Sequence, residues 1–318
     1  MQCVSIITRN RMAVSTKEAT AEGAKVTTVV TGENATADAP AEPGAGFDDE
    51  LSKLYAHLVA GDRPAHDKIT DIVKALGLSE GVVLSLGDGT GEPGVRIAKA
   101  LPAIKVISAD ASAAMTAQAA TYGQGLENLS TVTVSADADD LGERCGVAEG
   151  SVDVVVLSFS LMFVPDKSKC LASVKRLLKP DGCCIIAVLS KFGLLPCVGA
   201  GMSAVLGESP PTPPLNPLSL ADAAVLDSLV ADAGLGTVVS DEAMSYPFPL
   251  GPDLDVTRRL AVLPVKEPLT ALQTDKPDAV DVYVRAFMAA CEGRGWIVND
   301  RCVVPAEECC PRILVVKH

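Results

Sequence analysis

The chain has 318 residues, enough for one large α/β domain or two small ones. Hydrophobic residues make up 48% of it but aromatics only 3%, so a core must be built from Ala, Val, Leu and Ile. A formal net charge of -13 repels phosphate backbones and anionic lipid, which argues against nucleic acid as a partner, and no apolar run approaches the roughly 20 residues of a stable membrane insertion.

Residues 1–46 read as a tail. Thr16 to Gly46 is Ala, Thr, Glu, Gly and Pro with little periodicity, a composition that buries little surface. The first 17 residues carry Arg9, Arg11 and Lys17 and no acidic residue, as a short organelle transit peptide does and as an untargeted start also can. The expected location is the cytoplasm, or a mitochondrion or plastid if that start is a targeting segment. Residues 47–318 read as one folded domain. Leu51, Leu54 and Leu58 form a helix stripe, and Ile69, Ile72, Val73 and Leu76 a second, stopped by Gly77. Val82 to Leu86 is a buried strand that runs into Gly87-Asp88-Gly89-Thr90-Gly91.

Strands and helices then alternate. Val95 to Leu101 is helical and Ile104 to Ala109 a strand; Ser112 caps a helix to Tyr122. Thr131 to Ser135 is a third strand, and Val152 to Ser158 a fourth, nearly all valine as a strand covered on both faces should be. Lys167 to Leu178 is a helix, and Cys183 to Leu189 a fifth strand after the turn Lys179-Pro180-Asp181-Gly182. Residues 191–218 are rich in Pro and Gly and read as a lid or linker. Leu220 to Ala233 is a helix and Thr237 to Ser240 a strand; residues 247–305 read as a helical insert on the acceptor side, with helices near Leu254–Leu263 and Ala279–Cys291. Ile313 to Val316 is the last strand. The ten cysteines contain no C-x-x-C, so the thiols are expected to be free, packed and without metal.

A glycine loop between a strand and a helix lets backbone approach a ligand and offers it the free N–H groups of the helix start. A dinucleotide fingerprint would need glycine at 92, where Glu92 stands. Asp110, nineteen residues after Gly91 at the end of the second strand, can accept the hydroxyl hydrogens of a ribose, or cap the helix that follows.

In order and spacing, residues 82–190 resemble the class I S-adenosylmethionine-dependent methyltransferases, and more narrowly the group that includes the ubiquinone/menaquinone C-methyltransferases. The likeness rests on Val83–Pro93, Ile107–Met115, Ser135–Leu141, Gly150–Val156, Ser160–Asp166 and Leu177–Gly182. It implies a doubly wound, Rossmann-like, seven-stranded and mostly parallel sheet with an antiparallel C-terminal strand, plus a helical insert and lid. It also implies S-adenosyl-L-methionine as cofactor. Gly87, Gly89 and Gly91, with Asp88 and Thr90 between them, would line its methionine part. Asp110 would hold the ribose, Ala111 and Met115 would flank the adenine, and Asp137 with Ala138 would meet its amino group. Ser158 and Phe159 would stand where the methyl group points.

The sequence departs from that family at Ser85, where an acidic residue is usual, and at Asp88, where a small or thiol residue is usual. Asp88 is therefore expected to take over the missing charge toward the cofactor.

Methyl transfer needs alignment and a dry pocket, and for some acceptors a general base. His57, Tyr55 and Tyr246 are the candidate catalytic residues; Phe248 and Trp296 could line the acceptor pocket. The signatures of the quinone-methylating enzymes after strands four and five are missing, so the expected partner is a small organic acceptor, methylated at O, N, S or C, and the chain a monomer or homodimer. The alternatives are a catalytically inactive methyltransferase-like binding module and a nicotinamide dehydrogenase; Glu92 and Asp137-Ala138 argue against the second.

Overall fold

A strand as apolar as Val152–Ser158 requires cover on both faces. In the computed structural model, which describes residues 49–211 and 216–318, it has that cover. The chain begins with helices α1 (Asp49–Val59) and α2 (Arg63–Ala75), joined by a 3-10 turn, Ala60–Asp62. Then come β1 (Gly81–Leu86), α3 (Gly94–Ala100), β2 (Ile104–Asp110), α4 (Ala113–Tyr122), β3 (Leu129–Thr133), α5 (Leu141–Cys145) and β4 (Val152–Ser158). They are followed by α6 (Lys167–Leu177), β5 (Leu178–Phe192), α7 (Leu195–Leu206), α8 (Ala223–Asp232) and β6 (Thr237–Ala243). The remainder is β7 (Phe248–Pro249), α9 (Leu254–Val262), α10 (Lys266–Leu272), α11 (Ala279–Glu292), β8 (Ile297–Val298), β9 (Arg301–Val304) and β10 (Cys309–Lys317).

Seven strands form the main sheet in the order β3-β2-β1-β4-β5-β10-β6. Strands β1 to β5 pair in parallel; β10 runs antiparallel between β5 and β6. Side chains alternate along β4, so Val154 and Val156 enter the core on one face and Val155 and Leu157 the core on the other. The vicinal thiols divide in the same way, Cys183 to the first core and Cys184 to the second. No described cysteine is in a disulfide. Among the described residues no helix is long and apolar enough to cross a membrane, and no cluster of His, Cys, Asp and Glu is arranged to hold a metal ion.

Three stretches differ from the sequence expectation. Residues 191–218 contain a packed helix, α7, rather than a surface lid. Its buried Cys197, Met202 and Val205 lie in the first core, and Gly201 lets it approach the Tyr283 ring of α11 so closely that a Cβ there would sit 2.6 Å from it. The prolines that broke the rhythm flank this helix or occupy its first turn, where the missing N–H costs nothing. The 247–305 segment holds a third helix, α10, and a small sheet, β7-β9-β8, besides the two expected helices. Strand β3 begins two residues earlier than expected, at Leu129. The tail and targeting expectation for residues 1–46 falls outside the described residues.

Candidate functional site

The glycine loop turns on Gly87. Its φ is 65°, and a Cβ at this position would lie 2.4 Å from the Ser160 Cβ. Ser160 closes the space because its Oγ donates to the Leu86 carbonyl at 2.7 Å. The Gly87 and Asp88 amides both donate to the Ala109 carbonyl, at 2.8 and 3.1 Å, so the loop is tied to the end of β2. Gly89 differs from Gly87: the nearest atom to a Cβ there would be Cε1 of Tyr55, 3.8 Å away. The Tyr55 ring of α1 thus covers the open side of the loop.

Asp110 ends β2 beside this loop. Its Oδ2 accepts from the Gly89 amide and its Oδ1 from the Ser112 amide, each at 2.9 Å. Burial raises its pKa, against the pull of those two N–H groups. Asp110 thus braces the helix start, and each carboxylate oxygen keeps a lone pair. Ser112 is the N-cap of α4, and its Oγ accepts from the Met115 amide at 3.4 Å. Met115 is buried on that helix, Ala111 stands partly buried before it, and Thr90 is buried within the loop.

Asp88 corrects the expectation that it faces the cofactor. Its carboxylate accepts from Ser85 Oγ and Ser108 Oγ, each at 2.5 Å, and from the Gly94 amide at 3.0 Å, and the residue is 3% exposed. It lies under the loop, bonding β1, β2 and the first residue of α3 together. Burial pushes its pKa up to about 6, against the hydrogen bonds from Ser108, Ser85 and Gly94. The carboxylate touches the Ser85 hydroxyl and acts as a brace beneath the loop.

Asp137 is similarly engaged. Its Oδ1 accepts from Ser135 Oγ at 2.5 Å and its Oδ2 from the Asp166 amide at 3.1 Å. Burial raises its pKa, but Ser135, Asp166 and then Lys169 outweigh it and the net shift is downward. Ala138 packs partly buried against the second core beside it.

At the end of β4, Ser158 Oγ is the one buried side-chain N or O atom among the described residues with no hydrogen-bond partner. Phe159 follows it with φ 52°, a conformation that costs a bulky residue about 1–3 kcal/mol and that clusters at ligand sites. Its ring meets the edge of His66, centroids 6.0 Å apart. His66 is 3% exposed on α2, and burial, then Arg96, pulls its pKa down to about 3. An orphaned hydroxyl at one strand end, a bare Gly89 at the next and Asp110 beyond it suit a ligand with a carboxylate or amine at one end and a ribose at the other.

The three catalytic candidates fare differently. His57 is exposed; two residues beyond Tyr55 on the same helix, it points to the opposite side, so the structure does not bring it to the site. The Tyr55 phenol is held protonated by burial and by the carboxylates of Asp62 and Asp110. Tyr246 is buried, and its Oη donates to Asp62 Oδ1 at 2.7 Å. Burial, then Asp62, raises its pKa as well, so both phenols are donors rather than bases. Phe248 packs on Gly61, in the turn between α1 and α2. Trp296 lines a cleft of about 520 Å³ with Gly193, Pro196 and Arg294, whose guanidinium lies 5.6 Å from its ring centroid; no residue of the glycine loop shares that cleft.

Sequence reasoning did not single out Asp62, His66 or Ser160. The partner of Asp62, Tyr246, is 184 positions away, so no local signal marked the pair.

A comparison with curated proteins gives no match. Among solved structures, the (4+2)-cyclase SpnF is 19% identical, with 79% of this chain and 80% of that one covered and a TM-score of 0.46. A phosphoethanolamine N-methyltransferase 2 of Haemonchus contortus, solved with S-adenosyl-L-methionine, is 14% identical, with 85% and 57% covered and a TM-score of 0.48. A SAM-dependent methyltransferase of Aquifex aeolicus is 20% identical, with 61% and 92% covered and a TM-score of 0.42. Such distant likenesses decide nothing about activity. Residues 83–182 match a family described as a methyltransferase domain, and the sheet that carries them is Rossmann-like, mostly parallel with an antiparallel strand.

Proposed function

We propose that the protein transfers a methyl group from S-adenosyl-L-methionine to a small organic acceptor. One observation carries this reading: Asp110 is held at the end of β2 by the Gly89 amide, within a segment that matches a methyltransferase domain. The cofactor, when bound, supplies an electrophilic methyl group on a positive sulfur. Asp110 accepts from the ribose hydroxyls, the bare face at Gly89 admits the methionine part, and Met115 and Ala138 offer apolar contact to the adenine. Ser158 Oγ gains the hydrogen bond it lacks within the protein. Asp88 acts on binding only through the loop it braces. Tyr55 covers the loop and excludes water, which strengthens each polar contact beneath it.

The test is calorimetry with S-adenosylmethionine and S-adenosylhomocysteine. The wild-type protein is expected to bind both, and Asp110→Ala to weaken binding at least tenfold, the equivalent of about 1.4 kcal/mol for a lost charge-assisted pair. Absence of binding by the wild type, or stabilisation by NAD instead, overturns the reading.

A further inference from the structure

We propose that the cleft at Trp296 is a binding site for a small zwitterion, an α-amino acid with an aliphatic side chain, separate from the glycine loop. The inference does not depend on the methyltransferase reading.

The cleft follows from how α11 ends. The helix stops at Glu292, whose carbonyl accepts from the Gly295 amide at 2.8 Å. Gly295 has φ 73°, a left-handed turn that glycine takes without a Cβ penalty. The turn folds the chain back, so the Trp296 amide reaches the Cys291 carbonyl at 3.1 Å and the indole comes to lie against Arg294. Gly193, just past β5, forms another part of the wall. Its amide donates to the Glu308 carbonyl at 2.7 Å, and a Cβ there would stand 2.5 Å from the Glu308 carboxylate. These segments enclose about 520 Å³, a volume suited to a small molecule.

Arg294 is fixed within the free protein. Its Nη1 donates to the Ala290 carbonyl at 2.8 Å, and its guanidinium stands 5.6 Å from the Trp296 ring centroid. Among the described residues its other N–H groups have no acceptor, and no carboxylate pairs with it. This is not for want of partners, since acidic residues outnumber basic ones by 40 to 27 and two of them line the same cleft. Glu308 is taken by Lys191, at 2.9 Å. Glu307 gives Lys191 only its backbone carbonyl; among the described residues its carboxylate makes no ion pair or hydrogen bond. One cation and one anion therefore share a cleft without pairing to each other.

The ligand follows from what those groups lack. The Arg294 fork can donate two parallel hydrogen bonds to a carboxylate. Glu307 can accept from an ammonium. Between them the lining is apolar, from the indole, Val303, Pro196 and Pro305. A ligand of one charge would answer only half of the cleft. An aliphatic α-amino acid answers both charges and lays its side chain on the apolar wall. Binding is non-covalent and moves no proton.

The experiment uses the full chain. Trp296 is the only tryptophan, so tryptophan emission reports on this cleft alone. L-leucine is titrated against that emission and by calorimetry. Isocaproate, which lacks the ammonium, and isoamylamine, which lacks the carboxylate, are titrated beside it. Saturable binding of leucine is expected at millimolar concentration or below, with each of the other two weaker by about tenfold or more. Arg294→Gln and Glu307→Gln should each lose leucine by a similar factor. Both side chains are exposed, so both variants are expected to melt with wild type. No saturable leucine binding overturns the proposal. So does binding of isocaproate or isoamylamine as tight as that of leucine, or unchanged leucine affinity in either variant. Displacement of leucine by S-adenosylhomocysteine would place the cleft in the cofactor site and overturn its separateness.

Discussion

The Asp88 carboxylate is a point where three elements meet: a hydroxyl from β1, one from β2 and an amide from α3 all donate to it. Asp88→Ala strands those donors in a dry site and is expected to cost about 1–3 kcal/mol, read from the urea midpoint. Asp88→Asn keeps the volume, and the two hydroxyls can rotate to suit an amide. Since the carboxylate is buried beneath the loop, that variant should bind S-adenosylhomocysteine within a few-fold of wild type; a large loss of affinity in a folded Asp88→Asn protein would show that its charge reaches the ligand. At this scale some of the site was legible and some was not. Gly87, Gly89 and Asp110 announce themselves because a strand-end loop leaves few residues to choose from. The direction of the Asp88 side chain was not legible, because it depends on Ser108, twenty positions along, and on burial that no local pattern encodes. Asp62 was hidden in the same way, since its partner Tyr246 lies 184 positions away.

Among the elements, the alternating half of the chain was readable because parallel strands carry unbroken apolar runs, as Val152–Ser158 does. Helix α7 was not. Its sequence, Leu195 to Leu206, is small and glycine-containing, with proline near the start, and on propensity alone it reads as a linker. Its helicity comes from packing: Gly199 and Gly201 thin the helix, and at Gly201 the Tyr283 ring fills the space. Tyr283 is itself fixed, donating to the Ala261 carbonyl at 2.8 Å. Gly201→Ala would therefore overpack this contact although alanine favours helix. A loss of about 1–3 kcal/mol is expected in chemical denaturation, against a gain of about 1 kcal/mol at a partly exposed helix glycine such as Gly199, where an added Cβ meets nothing.

For the whole molecule, pH sets opposing contributions. Asp62 and Asp88 have folded pKa values raised to about 7 and about 6 from 3.8, so the native state holds their protons longer than the unfolded chain does. Their contribution to stability is greatest in acid and declines as pH rises through about 4 to 7. His66 runs the other way. Its folded value is lowered to about 3 from 6.5, so the unfolded chain binds the extra proton, and stability grows as pH rises through that window. The contributions overlap and partly cancel. His66→Gln removes the rising one, and its melting temperature should fall more steeply than that of wild type between pH 4 and 7. Asp62→Asn should do the reverse and fall less steeply. Parallel profiles for all three proteins would show that these groups are not buried as described.

The Ser85–Asp88 contact also constrains how such a loop can change over generations. Starting from the arrangement usual in the family it resembles, gaining Asp88 first would set two carboxylates within bonding distance, and one would have to stay protonated. Losing the acid at 85 first would leave Ser108 and the Gly94 amide facing a void. Either intermediate is worse than both ends, so the two positions are coupled, and a change at one is tolerated best together with a change at the other.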